Sequence, residues 1–365
     1  MLFSRTSQVR FAALLALHAL ALALAACEPH REPTSSGPSS MAITAEKFEL
    51  TSGPCAAAGY FMTIHGGAFV GPDGGVLPVP SGQTLEGDWA ESGTVSDEGA
   101  DEPRPAPERL KLLWFSYTEN KFYEGDFQLP QERLQTLLQQ GYWNTSKKQP
   151  GTYNELVVCV LPKGAVVVWL AGGNQVLVGR FQGHETLGNF QQYYGQADRA
   201  IMVKETQQEM PAEVQQEIAN GTISPKQWDA YLKKYSWQVA FNVPVSLYAS
   251  YNVQYVSGEY SNYPPTRDLA AYNQVLLTPT PKPVPSALYL HLAAEHGAHY
   301  EVRVKAFDEV ETLAAFQSLQ AASPKSVITV LFVLDKPFQK ATVILKNDAK
   351  EVPLSKSVIE VFSED

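Results

Sequence analysis

The sequence predicts an α+β fold: a mostly antiparallel sheet with a few short helices, plus a smaller carboxy-terminal α/β unit. Hydrophobic residues make up 44% and aromatic residues 11% of the 365-residue chain, which is enough to build a packed core. Most apolar runs are short and are separated by turns containing Gly, Pro or Asn, a pattern typical of strands. Connections this short force neighbouring strands to pair antiparallel.

The best-defined elements lie in the first half of the chain. Residues 110–119 and 121–129 alternate as two neighbouring strands across a tight turn after Glu119. A short helix is predicted from Pro130, a residue favoured in the first helical turn, to Gly141, a typical terminator. Three apolar runs then predict a three-stranded antiparallel meander: residues 156–161, 165–171 and 176–181.

The second half contains two predicted helices, 211–219 and 224–235, followed by a strand or hairpin over 245–260. Residues 278–285 predict a stiff linker, because proline fixes the backbone torsion and cannot donate to a hydrogen-bonded ladder. Residues 286–365 then form either a separate α/β module or a continuation of the same sheet. Both alternatives stay open at this point.

The amino terminus predicts export and lipid attachment. Arg5 and Arg10 precede a 16-residue apolar stretch, which is shorter than the roughly 20 residues of a membrane-spanning helix. The run Leu-Ala-Ala before Cys27 resembles the lipobox that bacterial lipoprotein signal peptidase cuts. We therefore expect lipid on Cys27 and a membrane anchor facing the periplasm. Glu28, rather than Asp, favours the outer membrane over the inner one.

These signals divide the chain into five segments. The mature amino terminus is rich in Pro, Ser and Gly, a composition typical of a flexible tether. The predicted segments are a signal peptide (1–26), a tether (27–42), a main domain (43–277), the proline-rich linker (278–285) and the carboxy-terminal subdomain (286–365).

The charge balance argues against nucleic acid as a partner. The chain has 28 Lys and Arg against 38 Asp and Glu, a net charge of −10. Removal of the signal peptide leaves 26 basic and 38 acidic residues, a net charge of −12. No basic cluster is present to neutralise phosphates, and a basic protein is a better partner. Residues 86–108, with eight acids and one basic residue, read as a solvated loop.

Two cysteines remain after lipid attachment at Cys27, namely Cys55 and Cys159. In an oxidising periplasm they can form a disulfide. Cys159 lies inside an apolar run, however, and can equally be an inert buried thiol. The sequence leaves both alternatives open.

Several short motifs resemble the DUF2931 family of bacterial, largely lipoprotein, domains of unknown function. A Trp-x-Ser-x-x-Glu-x-x-x-Tyr motif starts at residue 114, and a Gly-Arg-Phe-x-x-His-Glu motif surrounds residues 179–185. The similarity extends loosely through 211–235 and the carboxy-terminal unit. The residues that carry the resemblance are Trp114, Ser116, Glu119, Tyr123, Pro130, Trp169, Gly179, His184 and Glu185.

The resemblance implies no catalytic residues. Some similar lipoproteins are encoded beside secreted toxins of type VI secretion systems, which implies an immunity function in the periplasm. The resemblance therefore suggests a toxin as partner, without naming the residues that bind it.

The best candidate for chemistry is the pair His184 and Glu185, because histidine with a carboxylate can perform acid–base work. A histidine that only fixes a loop is the more common case. His291, His296, His299 and Glu295 carry metal-ligating groups but match no ligand motif, and we expect no metal and no cofactor. Motifs for nucleophilic hydrolases and phosphate-binding loops are absent from the sequence.

Three functional hypotheses follow. The first is a non-enzymatic lipoprotein that binds a protein, most specifically an immunity protein against a secreted toxin. The second is a structural or assembly lipoprotein of the cell envelope, acting through the acidic loop or the tyrosine-rich segment 248–272. The third is a hydrolase that uses His184 and Glu185.

Overall fold

Antiparallel sheets dominate the computed structural model, which describes residues 46–87, 89–92 and 102–364. The predicted signal peptide, tether and Cys27 lie outside the described residues, as does the middle of the acidic loop, residues 93–101. The α+β fold class is confirmed.

The strands of the first half are β1 (Thr51–Ala56), β2 (Met62–Val70), β3 (Val76–Pro78), β4 (Thr84–Leu85), β5 (Arg109–Ser116), β6 (Lys121–Gln128), β7 (Tyr142–Asn144), β8 (Gln149–Gly151), β9 (Glu155–Val160), β10 (Ala165–Ala171), β11 (Asn174–Gln182) and β12 (His184–Thr186).

The strands of the second half are β13 (Tyr235–Phe241), β14 (Val245–Tyr255), β15 (Tyr260–Ser261), β16 (Thr280–Lys282), β17 (Pro285–Ala294), β18 (His299–Ala306), β19 (Ile328–Leu334), β20 (Ala341–Lys346), β21 (Glu351–Leu354) and β22 (Val358–Ser363).

The helices are α1 (Gln131–Gln140), α2 (Phe190–Tyr194), α3 (Arg199–Glu209), α4 (Ala212–Asn220), α5 (Lys226–Tyr231), α6 (Leu269–Leu277) and α7 (Glu309–Ala322). Two short 3-10 turns cover Pro162–Gly164 and Glu295–Gly297. Among the described residues, no helix has the length and hydropathy needed to cross a bilayer.

Three large sheets share one hydrophobic core. The nine-stranded sheet has the order β1-β9-β10-β11-β15-β14-β17-β18-β22, the six-stranded sheet β12-β6-β5-β2-β3 with β4 beside β2, and the five-stranded sheet β16-β13-β19-β20-β21. Only β1–β9 and β13–β19 pair in parallel in the described chain. Trp114, Trp169 and Trp237, one from each sheet, are fully buried in the same core. Truncating such a side chain typically costs about 3–5 kcal/mol.

The predicted elements of the first half are confirmed. The hairpin β5–β6 turns after Glu119, α1 runs between Pro130 and Gly141, and β9, β10 and β11 form the antiparallel meander. The helix predicted over 224–235 is shorter, because Tyr235 already begins β13 and is buried in the five-stranded sheet. Helices α2, α3 and α6 were not predicted.

The proline-rich segment 278–285 does not separate two domains. Pro281 lies in β16, an edge strand, where the missing amide proton removes no ladder bond. Pro285 begins β17, the other position that tolerates proline in a sheet. Between them, the buried ammonium of Lys282 donates to the carbonyl oxygens of Trp237 and Val275. The segment is therefore fixed in the fold.

Residues 286–365 continue two sheets that begin earlier in the chain. Strand β17 pairs with β14 in the nine-stranded sheet, and β19 pairs with β13 in the five-stranded sheet. The described residues, 46–87, 89–92 and 102–364, all belong to one compact unit. The alternative of a continued sheet therefore describes this part of the chain.

Candidate functional site

A buried carboxylate, Glu119, organises the turn between β5 and β6. Its side chain is 3% exposed and lies 3.2 Å from the ammonium of Lys163. It accepts hydrogen bonds from the Tyr123 hydroxyl at 3.0 Å and from the Lys163 backbone amide at 2.8 Å. Ser116 Oγ lies 3.4 Å from the same carboxylate. These four residues, Ser116, Glu119, Tyr123 and Lys163, are named the Glu119 latch.

The Glu119 latch fastens the β5–β6 hairpin to the turn between β9 and β10. Lys163 lies in that turn at a φ of 60°, and the Glu119 contacts stabilise this left-handed backbone. Burial, together with the nearby charge of Glu119, raises the pKa of Tyr123 above its ordinary value, so its hydroxyl stays a donor. Trp114 stacks on the Tyr123 ring with 5.7 Å between ring centroids. The polar groups of the latch point at one another, which makes its role structural.

The remaining motif residues also serve packing. Pro130 immediately precedes α1. The buried Trp169 indole donates to the carbonyl of Ser257 at 3.0 Å. A Cβ on Gly179 would lie 2.8 Å from the ring of Phe181, so glycine lets that ring lie against the backbone.

The structure does not bring His184 and Glu185 together. They are neighbours on β12, and adjacent side chains of a strand point to opposite faces. His184 Nε2 lies 3.2 Å from Glu124 Oε1, whereas Glu185 pairs with Lys121 at 2.5 Å. The histidine therefore has a carboxylate partner, but a different one from the residue that the sequence suggested.

His184 lies at the rim of an open groove of about 510 Å³ on the six-stranded sheet. The groove is lined by backbone at Gly66 and Gly67, by Leu113, and by the charged Lys111, Glu124 and Asp126. The side chain of His184 is largely solvent-exposed, and that of Glu124 is about half exposed. The groove is a candidate binding site with a histidine and a carboxylate at its rim.

A second histidine, His65, lies farther along the same sheet under α2. Its Nε2 is 2.9 Å from the hydroxyl of Tyr194, and its ring stacks on Tyr193 with 4.2 Å between centroids. The network continues from Tyr194 to the hydroxyl of Tyr117 at 3.1 Å. Burial lowers the pKa of His65 to about 4, so the ring is neutral at ordinary pH. Sequence reasoning missed this network because α2 was not predicted.

An exposed aromatic surface lies on the outer side of the nine-stranded sheet, across β14, β17, β18 and β22. Two of its tyrosines, Tyr248 and Tyr251, are 41% and 36% exposed. We name it the tyrosine face, and its residues are Tyr248, Tyr251, Tyr289, His291, Glu301, Arg303, Phe362 and Glu364.

Two carboxylates hold the polar groups of the tyrosine face. Glu364 accepts from the Tyr248 hydroxyl at 2.6 Å and lies 2.6 Å from His291 Nδ1. Glu301 accepts from the Tyr251 hydroxyl at 2.8 Å and from Arg303 at 2.7 Å. The rings are thereby fixed while one side of each stays open to solvent.

The electrostatics of the face agree with this geometry. Burial acts to raise the pKa of Glu301, but hydrogen bonds from Arg303 and Tyr251 outweigh it and hold the pKa below its ordinary value. Partial burial and the hydrogen bond to Glu364 raise the pKa of Tyr248 to about 12. Burial and the hydrogen bond to Glu301 likewise raise the pKa of Tyr251 to about 12, so both tyrosines are neutral donors at neutral pH.

A pocket of about 480 Å³ adjoins the face between β14, α6 and the β7–β8 hairpin. Its lining includes Tyr251, Tyr263, Tyr272, Leu269 and Asn262, and no charged residue is among the lining residues. Concave sites of this size are typical of ligand or side-chain binding. Together, the tyrosine face and this pocket form a continuous aromatic region around Tyr251.

The family model of DUF2931, described as a protein of unknown function, matches residues 30–226 of the chain. The match covers more than half of the 365 residues. The chain belongs to the DUF2931 family. No curated protein and no solved structure shows a significant match to it.

The DUF2931 match separates the candidate sites. The Glu119 latch, the groove beside His184 and the His65 network all lie within the matched residues. The tyrosine face begins at Tyr248 and lies beyond them, so the motif similarity does not reach the carboxy-terminal strands. The matched part of the chain carries the Glu119 latch, and the part beyond residue 226 carries the tyrosine face.

The predicted cysteine pair lies in the nine-stranded sheet of this DUF2931 protein. Cys55 and Cys159 are directly opposite each other on the parallel strands β1 and β9. Both are buried, and no disulfide joins them in the structure. The spacing between neighbouring strands of a sheet falls within the range of Cα–Cα distances that a disulfide requires, so the backbone at these two positions is compatible with one.

The candidate metal ligands of the sequence are dispersed. His291 lies in the tyrosine face beside Glu364, and His299 lies near the ring of Tyr248. Glu295 begins a 3-10 turn. Across the described ranges, no three His, Cys, Asp or Glu side chains are arranged to hold a metal ion.

Proposed function

We propose that this chain is a lipid-anchored envelope protein that acts by binding another protein, and that its specific role is immunity against a secreted toxin. The observation that supports binding is the tyrosine face. Exposed tyrosines whose hydroxyls are already held by Glu301 and Glu364 form a rigid aromatic surface.

The physical case rests on preorganisation. Tyr and Arg are enriched among residues that dominate binding energy, and the face presents both. Ordering a long side chain on binding costs about 0.5–1.5 kcal/mol. Hydrogen bonds to carboxylates already order the side chains of Tyr248, Tyr251 and Arg303 in the free protein. Binding a partner therefore loses less side-chain entropy.

Charge and anchoring support the narrower role. A mature chain with a net charge of −12 attracts a basic partner and accelerates its encounter. Lipid on Cys27 would hold the protein at the periplasmic side of a membrane, preferably the outer membrane, where an incoming toxin acts. An inhibitor needs a rigid surface and no catalytic set, and the family resemblance points to toxin neutralisation.

A genetic experiment tests this role. The gene is deleted, and the cells are exposed to siblings that deliver the toxin encoded beside it. We expect sensitivity that the wild-type gene reverses and that the double variant Tyr248→Ser, Tyr251→Ser does not. The double variant Leu187→Ser, Val310→Ser, which alters two more exposed apolar residues away from the face, is the matched control and should restore protection. Absence of a neighbouring secreted effector, together with no sensitivity, would remove the immunity role.

A structural or assembly role in the envelope is the second candidate, and it would use the same face. A photo-cross-linker at position 251 in living cells separates the two: recovery of a resident envelope protein instead of the toxin favours assembly. The hydrolase hypothesis keeps one supporting contact, His184 to Glu124. Replacing His184, Glu124 and Glu185 by alanine without any effect on protection would end it.

A further inference from the structure

Natural sheets protect their edge strands, because unpaired backbone amides and carbonyls invite pairing with another chain. In the nine-stranded sheet one edge is β1, which is almost entirely buried and contains Pro54. In addition, the backbone amide of Ala56 at the end of β1 donates a hydrogen bond to the carbonyl oxygen of Gly87. This edge is protected.

The edges of the other large sheets are protected as well. Strand β12 has three residues, and β3 has three and ends in Pro78. Strand β16 has three residues with Pro281 in the middle, and β21 has four with Pro353. Short length and proline are two of the devices that prevent edge pairing.

Strand β22 lacks these devices. It has six residues, Val358–Ser363, with no proline and no lysine, and four of the six are apolar. Val358 is 51% and Phe362 is 39% exposed. Within the part of the chain that the structure describes, β22 pairs only with β18 and ends the sheet.

The outward amides of β22 can be assigned from the ladder. The backbone amide of Glu364, just after β22, donates to the carbonyl oxygen of His299 in β18 at 3.0 Å. Alternate residues of a strand direct their amides to the same side, so Phe362 and Glu360 also face β18. The amides and carbonyls of Ile359, Val361 and Ser363 therefore face away from the sheet.

We infer that β22 is a strand-docking site that receives an extended segment of a positively charged partner protein. Added-strand recognition draws affinity from main-chain hydrogen bonds and specificity from alternate side chains. The inference rests on the proposed protein-binding function and deepens it, because Phe362 belongs to both β22 and the tyrosine face.

The negative net charge of the chain favours a basic segment, rather than a second copy of the chain, as the strand that pairs with β22. A second copy of the chain would bring another net charge of −10, and antiparallel self-pairing around the centre of β22 would bring two Glu360 side chains close together. A basic strand meets the acidic chain favourably. It would also lie beside Glu360, which already attracts the Lys305 ammonium at 2.8 Å.

The test uses the full chain in detergent and a defined probe, an acetylated peptide of the sequence Lys-Val-Thr-Val-Lys-Val. Controls are its N-methylated form, which cannot form the ladder, and an acidic counterpart with Glu in place of Lys. Val361→Pro removes one outward amide without removing a bond to β18, and Val361→Thr is the matched variant that keeps the amide. Binding is followed by fluorescence anisotropy and by hydrogen exchange of β22.

The expected result is saturable binding of the basic peptide with slowed exchange at Ile359, Val361 and Ser363. We expect Val361→Pro to weaken binding at least tenfold, Val361→Thr less than threefold, and the N-methylated peptide not to bind. Equal binding to Val361→Pro, or no binding, overturns the inference. A dimer in solution with β22 protected at rest also overturns it, because a second copy then fills the edge. The peptide-binding result is independent of the genetic test of toxin immunity, because that test uses substitutions at Tyr248 and Tyr251 and not at β22.

Discussion

Tyr248 on β14 donates its hydroxyl to Glu364, just beyond the end of β22, with 2.6 Å between the two oxygen atoms. Two strands, β17 and β18, separate these elements in the sheet. The hydrogen bond therefore spans the tyrosine face, and the same carboxylate also contacts His291. A surface joined across four strands can meet a partner without rearrangement.

The Glu119 latch predicts a large loss of stability on truncation. Glu119→Ala leaves the Tyr123 hydroxyl and the Lys163 amide without their acceptor, and we expect the free energy of unfolding to fall by about 2–4 kcal/mol. Urea denaturation measures this change. Glu124→Ala, which removes a half-exposed carboxylate from the neighbouring strand, should cost less than about 1 kcal/mol. Similar losses for both variants would contradict a structural latch.

His65 predicts a pH dependence of stability. Its pKa is lowered by burial to about 4 in the folded chain, against an ordinary value of 6.5, so the unfolded chain takes up this proton first. The stabilisation that the folded chain gains from holding His65 neutral is therefore fully present above pH 6.5. It is lost as the pH falls toward 4. A tenfold difference in proton affinity between the two states is worth about 1.4 kcal/mol, and solvent near a half-buried ring reduces the effect.

The measurement for His65 is the unfolding free energy between pH 7 and 4. His65→Gln keeps a partner for Tyr194 but does not titrate, so its stability should fall less over this range than that of the wild type. His184→Gln, which replaces an exposed histidine of the same sheet, is the matched substitution for comparison. A slope unchanged by His65→Gln would argue against the lowered pKa.

The cysteine pair predicts hidden thiols. Cys55 and Cys159 are buried and are not joined by a disulfide in the structure, so a small alkylating reagent should label neither in the folded chain. Both should be labelled in denaturant without reductant, as intact mass would show. No labelling in denaturant would reveal a disulfide across β1 and β9. Labelling of the folded chain would contradict their burial.

The proposed lipid attachment at Cys27 predicts a specific failure for Cys27→Ala. The variant should lose the mass of the acyl groups and leave the membrane fraction, because several buried acyl chains are needed for stable anchoring. Under the immunity proposal, protection should weaken as the protein disperses. Full protection by the dispersed form would show that anchoring is incidental to function.

Local signals predicted much of the first half of the fold. The turn after Glu119, Pro130 and Gly141 mark the ends of elements through backbone chemistry that neighbours in sequence determine. The same rule misled at residues 278–285. Proline is compatible with an edge strand or a strand start, and only the tertiary position of β16 and β17 shows which applies.

The candidate sites were harder to predict. Glu119 meets Lys163, 44 residues later, and Glu364 meets Tyr248, 116 residues earlier, so spacing along the chain gives no sign of either contact. His184 and Glu185 show the converse. Their adjacency in sequence suggested a pair, but successive side chains of a strand point to opposite faces of the sheet. His184 therefore contacts Glu124, and Glu185 contacts Lys121.

The central claim, that the tyrosine face binds the toxin, is tested most directly by the affinity of the purified full chain for the toxin encoded beside its gene. Tyr251→Ala removes an exposed ring at the centre of the aromatic region and should raise the Kd at least tenfold, or about 1.4 kcal/mol. Leu187→Ala, at an exposed site away from the face, should leave the Kd within twofold. Equal Kd values for the wild type and Tyr251→Ala would contradict the account.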